Sequence, residues 1–167
     1  MHVEGTVDPL RDVEIINTEL IMSDIEQIEP KLPSLEKRAK AQDKEAMKLY
    51  PVLKTIYDAL MQGKLAYEVK DEFSGEPLDL LRSYNLLTFK PFVYAINVSQ
   101  ENLAHADTIK KDFEEKLKRP VAIVCAKIES EMLGFSPEER KEFMQDMHPE
   151  KNIPTLDDMI ALSFDTL

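Results

Sequence analysis

The stretch KPFVYAINVSQENL, residues 90–103, decides how the rest of the chain is read. Phe92 to Ile96 is a nearly continuous apolar run. It fits a strand covered on both faces, with Pro91 tolerated as a strand's first residue. A polar turn follows, and then a helical stretch from Glu101 to Lys118 that puts Leu103, Ala106, Ile109, Phe113 and Leu117 on one face. Next comes PVAIVC, residues 120–125, a second buried strand. Strand, helix and strand within about 35 residues make a βαβ unit, which implies parallel pairing with a right-handed crossover.

Ligands of parallel sheets sit beyond the carboxyl ends of the strands, and Asn97 and Cys125 both fall at such ends. The Asn97 amide offers an acceptor and two donor protons, so it can read a purine edge bidentately, at N6 and N7 of adenine or the corresponding atoms of guanine. An Asn at a strand end is also an ordinary turn residue bonding its own backbone, and on chemistry alone that is the commoner case.

The first half reads as two long helices. Asp8-Pro9 is an N-cap followed by proline at the first helical position. Downstream, Ile21, Ile25, Ile28, Leu32, Leu35 and Ala39 are spaced 4, 3, 4, 3, 4, the seam of a coiled coil. A second seam, Ala46, Leu49, Leu53, Ile56 and Leu60, starts after Asp43, a candidate N-cap. Two seams joined by a short turn predict an antiparallel helical hairpin with arms of about 30–45 Å. Pro30, Pro33 and Pro51 each remove a helical hydrogen bond. The seams keep phase across all three, which predicts kinks rather than ends, with Ser34 as an alternative restart. Residues 67–84, including DEFSGEP, read as an irregular connector.

Near the turn of the hairpin Lys31, Lys37, Arg38, Lys40, Lys44 and Lys48 face only Glu36, Asp43 and Glu45. This is a basic spot in a chain of net charge −11. It reads first as a solvated helix surface with i,i+4 pairs such as Glu36–Lys40, and secondly as a contact for phosphate backbone, with RNA at Lys37, Arg38, Lys40 and Lys44. Two more helices close the chain. SPEER is a capping box, with Ser136 at the N-cap, Pro137 at N1 and Glu139 at N3. TLDDMIALSFDTL opens on Thr155 with Asp158 at N3, and it reaches Leu167 without a stop signal, as if cut there.

Composition narrows the function classes. With 43% hydrophobic and 32% charged residues this is a folded, helix-rich protein of ordinary balance. Its acidity argues against whole-molecule attraction to nucleic acid or anionic lipid. A single cysteine, Cys125, excludes an internal disulfide framework. No apolar run is long enough for a membrane span and no signal-like N-terminus is present, so a cytoplasmic protein is expected. His2, His105 and His148 lack ligand spacing, and no Ser/His/Asp set is indicated; the histidines are expected to be exposed.

Taken in order, HVEGTVDPLRDVEIINTEL, the seams flanking QDKEA, LLTFKPFVYAINVSQ, VAIVCAKIES and SPEERKEF resemble the Obg-like ATPase (YchF) family over essentially all 167 residues. The resemblance implies an α/β, helix-rich fold: a partial P-loop GTPase-like parallel sheet with an antiparallel helical coiled-coil insertion. It implies a division into residues 1–70 as the insertion, 71–86 as a connector and 87–167 as the C-terminal part of the nucleotide-binding domain. It further implies a translation-associated ATPase that binds and hydrolyses ATP, with GTP as the alternative nucleotide, Mg²⁺ as cofactor and the ribosome as partner.

Matched to the family's Asn-hydrophobic-x-Glu motif, Asn97 is the base-reading residue, Val98 lies beside the adenine, and Gln100 stands where the family has Glu. A carboxylate only accepts protons, whereas Gln both donates and accepts, so adenine selectivity is weakened. Cys125-Ala126-Lys127 matches a loop that packs against the base mainly through its backbone, with Cys125 expected to be a small buried residue. A P-loop needs G-x-x-x-x-G-K-[ST], yet the only glycines are Gly5, Gly63, Gly75 and Gly134. The chain is therefore expected to be a fragment lacking the P-loop portion and the TGS domain, with no metal ligands and no hydrolysis of its own. The competing readings are a non-catalytic coiled-coil module binding RNA or protein, and a product without independent function.

Overall fold

The computed structural model describes residues 8–147 and 153–166. It divides into two compact units, one through Pro91 and one from Phe92.

In the first unit α1 (Pro9–Ile28) begins as its sequence requires. The Asp8 side chain accepts from the N–H groups of Leu10 and Arg11, and Pro9 occupies the first turn. Pro30 lacks an N–H and its ring crowds the carbonyl four residues back. The chain accordingly tightens to a 3₁₀ turn at Glu29–Lys31 before α2 (Leu32–Lys40) resumes, two residues ahead of Ser34. The expected kink is thus a change of helix type. Pro33 falls in the first turn of α2, where no intrahelical donor is needed. By contrast α3 (Lys44–Met61) runs through Pro51 without interruption.

A three-residue turn joins α2 to α3 and the two pack together as a helical hairpin, with α1 also against α3. Every member of the second seam, Ala46, Leu49, Leu53, Ile56 and Leu60, is buried. Of the first seam Ile21, Ile28 and Leu35 are buried, while Ile25, Leu32 and Ala39 are half-buried. Val52 and Ala59 are buried too, so the apolar face of α3 is broader than a two-position stripe.

The stretch read as an irregular connector is more ordered than its composition suggested. It holds a 3₁₀ segment at Ala66–Glu72 and α4 (Glu76–Arg82), both packed on α3, and it lies wholly in the first unit. A buried carboxylate fastens it. Asp24 of α1, fully buried, accepts from the N–H groups of Leu87 and Thr88 and from the Thr88 hydroxyl; that hydroxyl oxygen accepts from the Ala66 N–H.

In the second unit β1 (Tyr94–Asn97) and β2 (Val121–Val124) pair in parallel, with Tyr94 opposite Val121 and Asn97 opposite Val124. Between them the chain forms a 3₁₀ turn at Gln100–His105 and then α5 (Ala106–Leu117), so the expected helix from Glu101 is α-helical only from Ala106. Lys118 ends it in the left-handed conformation, φ 53°. Ile96, Val121 and Ile123 cluster with Ala106 and with Ile109, Phe113 and Leu117 of α5.

The expectation that β1 is covered on both faces is corrected. Phe92 and Val93 precede the strand, Ala95 and Asn97 are exposed, and only Ile96 is buried. Among the described residues β1 has β2 as its one sheet neighbour. β2 is better enclosed, with Val121, Ala122 and Ile123 all buried and α8 (Leu156–Thr166) packed on it. After β2 come α6 (Ala126–Glu131) and α7 (Pro137–Met147). The box at the start of α7 closes both ways: the Ser136 N–H donates to Glu139 at 2.7 Å, and the Glu139 N–H donates to Ser136 Oγ at 3.3 Å.

Candidate nucleotide-base site

The two strands end side by side because their register is parallel, and this brings two loops 29 residues apart into contact. Asn97, the last residue of β1, turns its side chain across the sheet end, where Oδ1 accepts the N–H of Ala126 at 3.0 Å. The backbone joins the same two strand ends, Val98 N–H to the Val124 carbonyl at 2.8 Å. The carbonyl of Asn97's amide is thereby used in the fold. Its NH₂ donates to no acceptor among the described residues, and the residue is exposed. The turn reading foresaw a bond to Asn97's own loop; the bond instead reaches the first residue of α6.

The remaining residues of the two loops divide between core and surface. Val98 is half-buried and packs against both apolar clusters of this unit. Cys125 is 3% exposed and sits with Leu103, Ile128, Met132 and Ile153, where its side chain is a small apolar filler. Ser99, Ala126 and Lys127 are exposed. Gln100 is half-buried at the start of the 3₁₀ turn, and its side-chain amide makes no hydrogen bond to the described chain. The two loops therefore carry polar groups without an intramolecular partner among the described residues, the amide NH₂ of Asn97, the Ser99 hydroxyl and the amide of Gln100, beside one cation, Lys127. That set suits a flat heteroaromatic edge with mixed donors and acceptors.

Among the described residues no three His, Cys, Asp or Glu side chains come together in a way that could hold a metal ion. The Mg²⁺ expected with nucleotide phosphates has no ligand set in this part of the chain. His105 is exposed, whereas His2 and His148 lie outside the described residues. No described helix is long and apolar enough to cross a membrane.

At the hairpin tip most of the basic residues have partners. Arg38 bonds Asp43 and Glu45, Lys40 pairs with Glu36 at 2.7 Å, Lys48 pairs with Glu76, and Lys31 lies 4.6 Å over the Tyr84 ring. The hydrogen bonds to Asp43 and Glu36 push Arg38 and Lys40, respectively, further towards their charged forms. Lys37 and Lys44 make no ion pair in the described structure. Exposed pairs of this kind contribute little to stability and are screened by salt.

Asp24 is the residue that sequence reasoning passed over. It sits four residues before Ile28 on a helix read only for its apolar seam. Its signal was an acidic residue beside that seam, three positions after Ile21.

Several characterised proteins align with the chain. The ribosome-binding ATPase YchF of Bacillus subtilis is 34% identical over 171 residues, covering 99% of this chain and 46% of that protein. YchF of Haemophilus influenzae is 38% identical over 150 residues, 88% of this chain and 40% of that protein. YchF of Mycoplasma genitalium is 35% identical over 173 residues, 100% of this chain and 46% of that protein. No protein-family model matches the chain. It spans 40–46% of the length of these relatives, and the likeness to the Bacillus and Mycoplasma proteins runs through both the helical hairpin and the strand-end loops that carry Asn97 and Ala126. By this likeness, the chain belongs to the Obg-like ATPase (YchF) family.

Proposed function

We propose that the second unit is the base-recognition side of a nucleotide site in a ribosome-associated ATPase. Its two strands would belong to a P-loop GTPase-like sheet, and the helical hairpin would be a coiled-coil insertion. The observation that carries this reading is the Asn97 Oδ1 to Ala126 N–H bond, which locks two strand-end loops together while leaving an amide NH₂ presented outward. Relatives named as ribosome-binding ATPases support the ATP and ribosome assignments.

In this reading each loop residue has a separate task. Asn97 donates to the base edge. Val98 anchors its loop in the core and offers its uncovered side to the ring, and Gln100 meets the exocyclic substituent. Cys125 holds the second loop down while the backbone of Ala126 and Lys127 borders the base. Phosphate binding and hydrolysis need a phosphate cradle that the four glycines of this sequence do not supply.

The test is an amide NMR titration of the ¹⁵N-labelled chain with adenosine and with ATP. The expected result is that signals of residues 97–100 and 125–127 move alike with both ligands, because base rather than phosphate contacts are made. Unmoved signals at millimolar ligand would remove the site.

A second reading, a hairpin that binds RNA, is favoured by Lys37 and Lys44, which have no carboxylate partner at the tip. Changing both to Glu is expected to weaken binding to ribosomal RNA and to lower the salt slope by about two. An unaltered slope would dismiss it.

A further inference from the structure

We infer that a cleft at the outer edge of β2 binds a free apolar α-amino acid. None of the residues lining this cleft belongs to the base site.

The cleft has a volume of about 200 Å³ and is walled by α5, β2 and α8. Its position follows from the way β2 faces. Pro120 and Val124 turn their carbonyls to β1, where they accept from Tyr94 and Val98, and alternate residues of a strand turn their backbone groups to opposite edges. Val121 and Ile123 therefore direct theirs to the outer edge. The Val121 N–H is answered there by Glu114 of α5, which accepts it at 3.3 Å. Ile123, which lines the cleft and is only 2% exposed, has no hydrogen-bond partner on that edge among the described residues. A buried backbone donor left in this state costs free energy that a bound anionic group would recover.

The charges around the cleft are of both signs. Asp107 and Lys110 lie three residues apart on one face of α5, and Asp158 comes from α8. The Asp107 carboxylate has no hydrogen bond or ion pair to the described chain, and Lys110 reaches only Glu114, at 4.0 Å. Asp158 gives Oδ2 to the Thr155 N–H and hydroxyl, at 2.8 and 3.0 Å, and keeps Oδ1. Between these groups Ile123, Met159 and Leu162 make an apolar floor. A plain cation would leave Lys110 unanswered, and a plain anion would meet two carboxylates. An apolar α-amino acid satisfies the whole set: its ammonium meets Asp107 and Asp158, its carboxylate meets Lys110 and the Ile123 N–H, and its side chain covers the floor. The volume agrees, since an apolar cavity of about 150 Å³ takes up benzene.

The experiment titrates leucine, 4-methylpentanoate, leucinamide and glycine into the ¹⁵N-labelled 167-residue chain, following the amide signals of Asp107, Ile123 and Met159. Leucine is expected to move all three at millimolar concentration. The other three lack the ammonium, the carboxylate and the side chain, respectively, and each is expected to bind roughly tenfold more weakly or worse, the scale of one charge-assisted contact. Lys110→Met is expected to abolish the preference for leucine over leucinamide. Asp158→Asn, which keeps a capping oxygen for Thr155, is expected to reduce the preference for leucine over 4-methylpentanoate. Unmoved signals with leucine would overturn the inference, as would either preference surviving intact in its variant. Equal binding of 4-methylpentanoate would overturn it by showing an apolar cleft without charge recognition, and equal binding of leucinamide by pointing to the N-terminus of a peptide instead.

Discussion

Asp24 and Thr88, 64 positions apart in sequence, are both fully buried and joined twice: the Thr88 hydroxyl donates to Asp24 Oδ2 at 2.6 Å and its N–H at 2.8 Å. Each donor would otherwise be buried without a partner, which costs on the order of 1–3 kcal/mol apiece. Asp24→Ala is expected to destabilise the first unit by about 2–4 kcal/mol, and Asp24→Asn by less, since an amide oxygen still accepts. Four of the five tyrosines, Tyr50, Tyr57, Tyr67 and Tyr84, lie in this unit and none of the protein's residues is Trp, so tyrosine fluorescence during urea unfolding reports it. An unshifted midpoint in Asp24→Ala would show that the bonds contribute nothing net.

The turn of the hairpin should weaken in acid. Asp43 caps α3 by accepting from Ala46 N–H at 2.8 Å, and this bond, followed by the one from Arg38, holds its carboxyl below the usual range. A carboxyl whose pKa is lower folded than unfolded stabilises the fold above the unfolded pKa of about 3.9; the contribution fades as pH falls through the folded value. Asp43→Asn keeps a capping oxygen without titrating. Thermal melts of the two proteins from pH 6 to pH 2.5 are expected to differ most at pH 6 and to converge in acid. Parallel curves would contradict the assignment.

Purified chain is expected to release no phosphate from ATP with Mg²⁺ present. Phosphoryl transfer depends on positioning and on charge stabilisation by a phosphate cradle and metal; the sequence carries no P-loop pattern, and among the described residues no group of side chains could hold a metal ion. Release that disappears in Asn97→Ala but persists in a surface control such as Lys116→Ala would reverse this expectation.

Strand β1 should make the chain prone to self-association. Tyr94 and Val98 direct their N–H groups to Pro120 and Val124 of the β2 side, leaving the N–H groups of Ala95 and Asn97 on the opposite edge without a strand partner among the described residues. An open edge is a template for pairing, and an inserted lysine blunts it. Light scattering after size exclusion is expected to show mass rising with concentration, and less so for Ala95→Lys. A strictly monomeric chain at high concentration would refute this.

Helix periodicity, caps and chain order were legible residue by residue. Asp8-Pro9, Asp43 and Ser136–Glu139 act as caps because such signals are local, set by groups within about one turn. The seam through Leu49, Leu53 and Ile56 was readable because burial on a helix repeats with the backbone's own period. Parallel pairing of Tyr94–Asn97 with Val121–Val124 followed from strand spacing, which leaves room for only one kind of connection.

Tertiary contacts decided what composition could not. A run such as Phe92–Ile96 is apolar wherever it lies, but whether it is covered depends on neighbours remote in sequence, and here Ala95 stays exposed. Residues 67–84 looked irregular because loop-type residues carry no period. Their order comes from the buried Asp24–Thr88–Ala66 chain of bonds, made between three separate segments. For Asn97 the sequence determined the place, a strand's carboxyl end. The fold shaped its chemistry, because the N–H of Ala126 takes one lone pair of the amide oxygen and fixes the amide across the sheet end, leaving the NH₂ without an acceptor among the described residues.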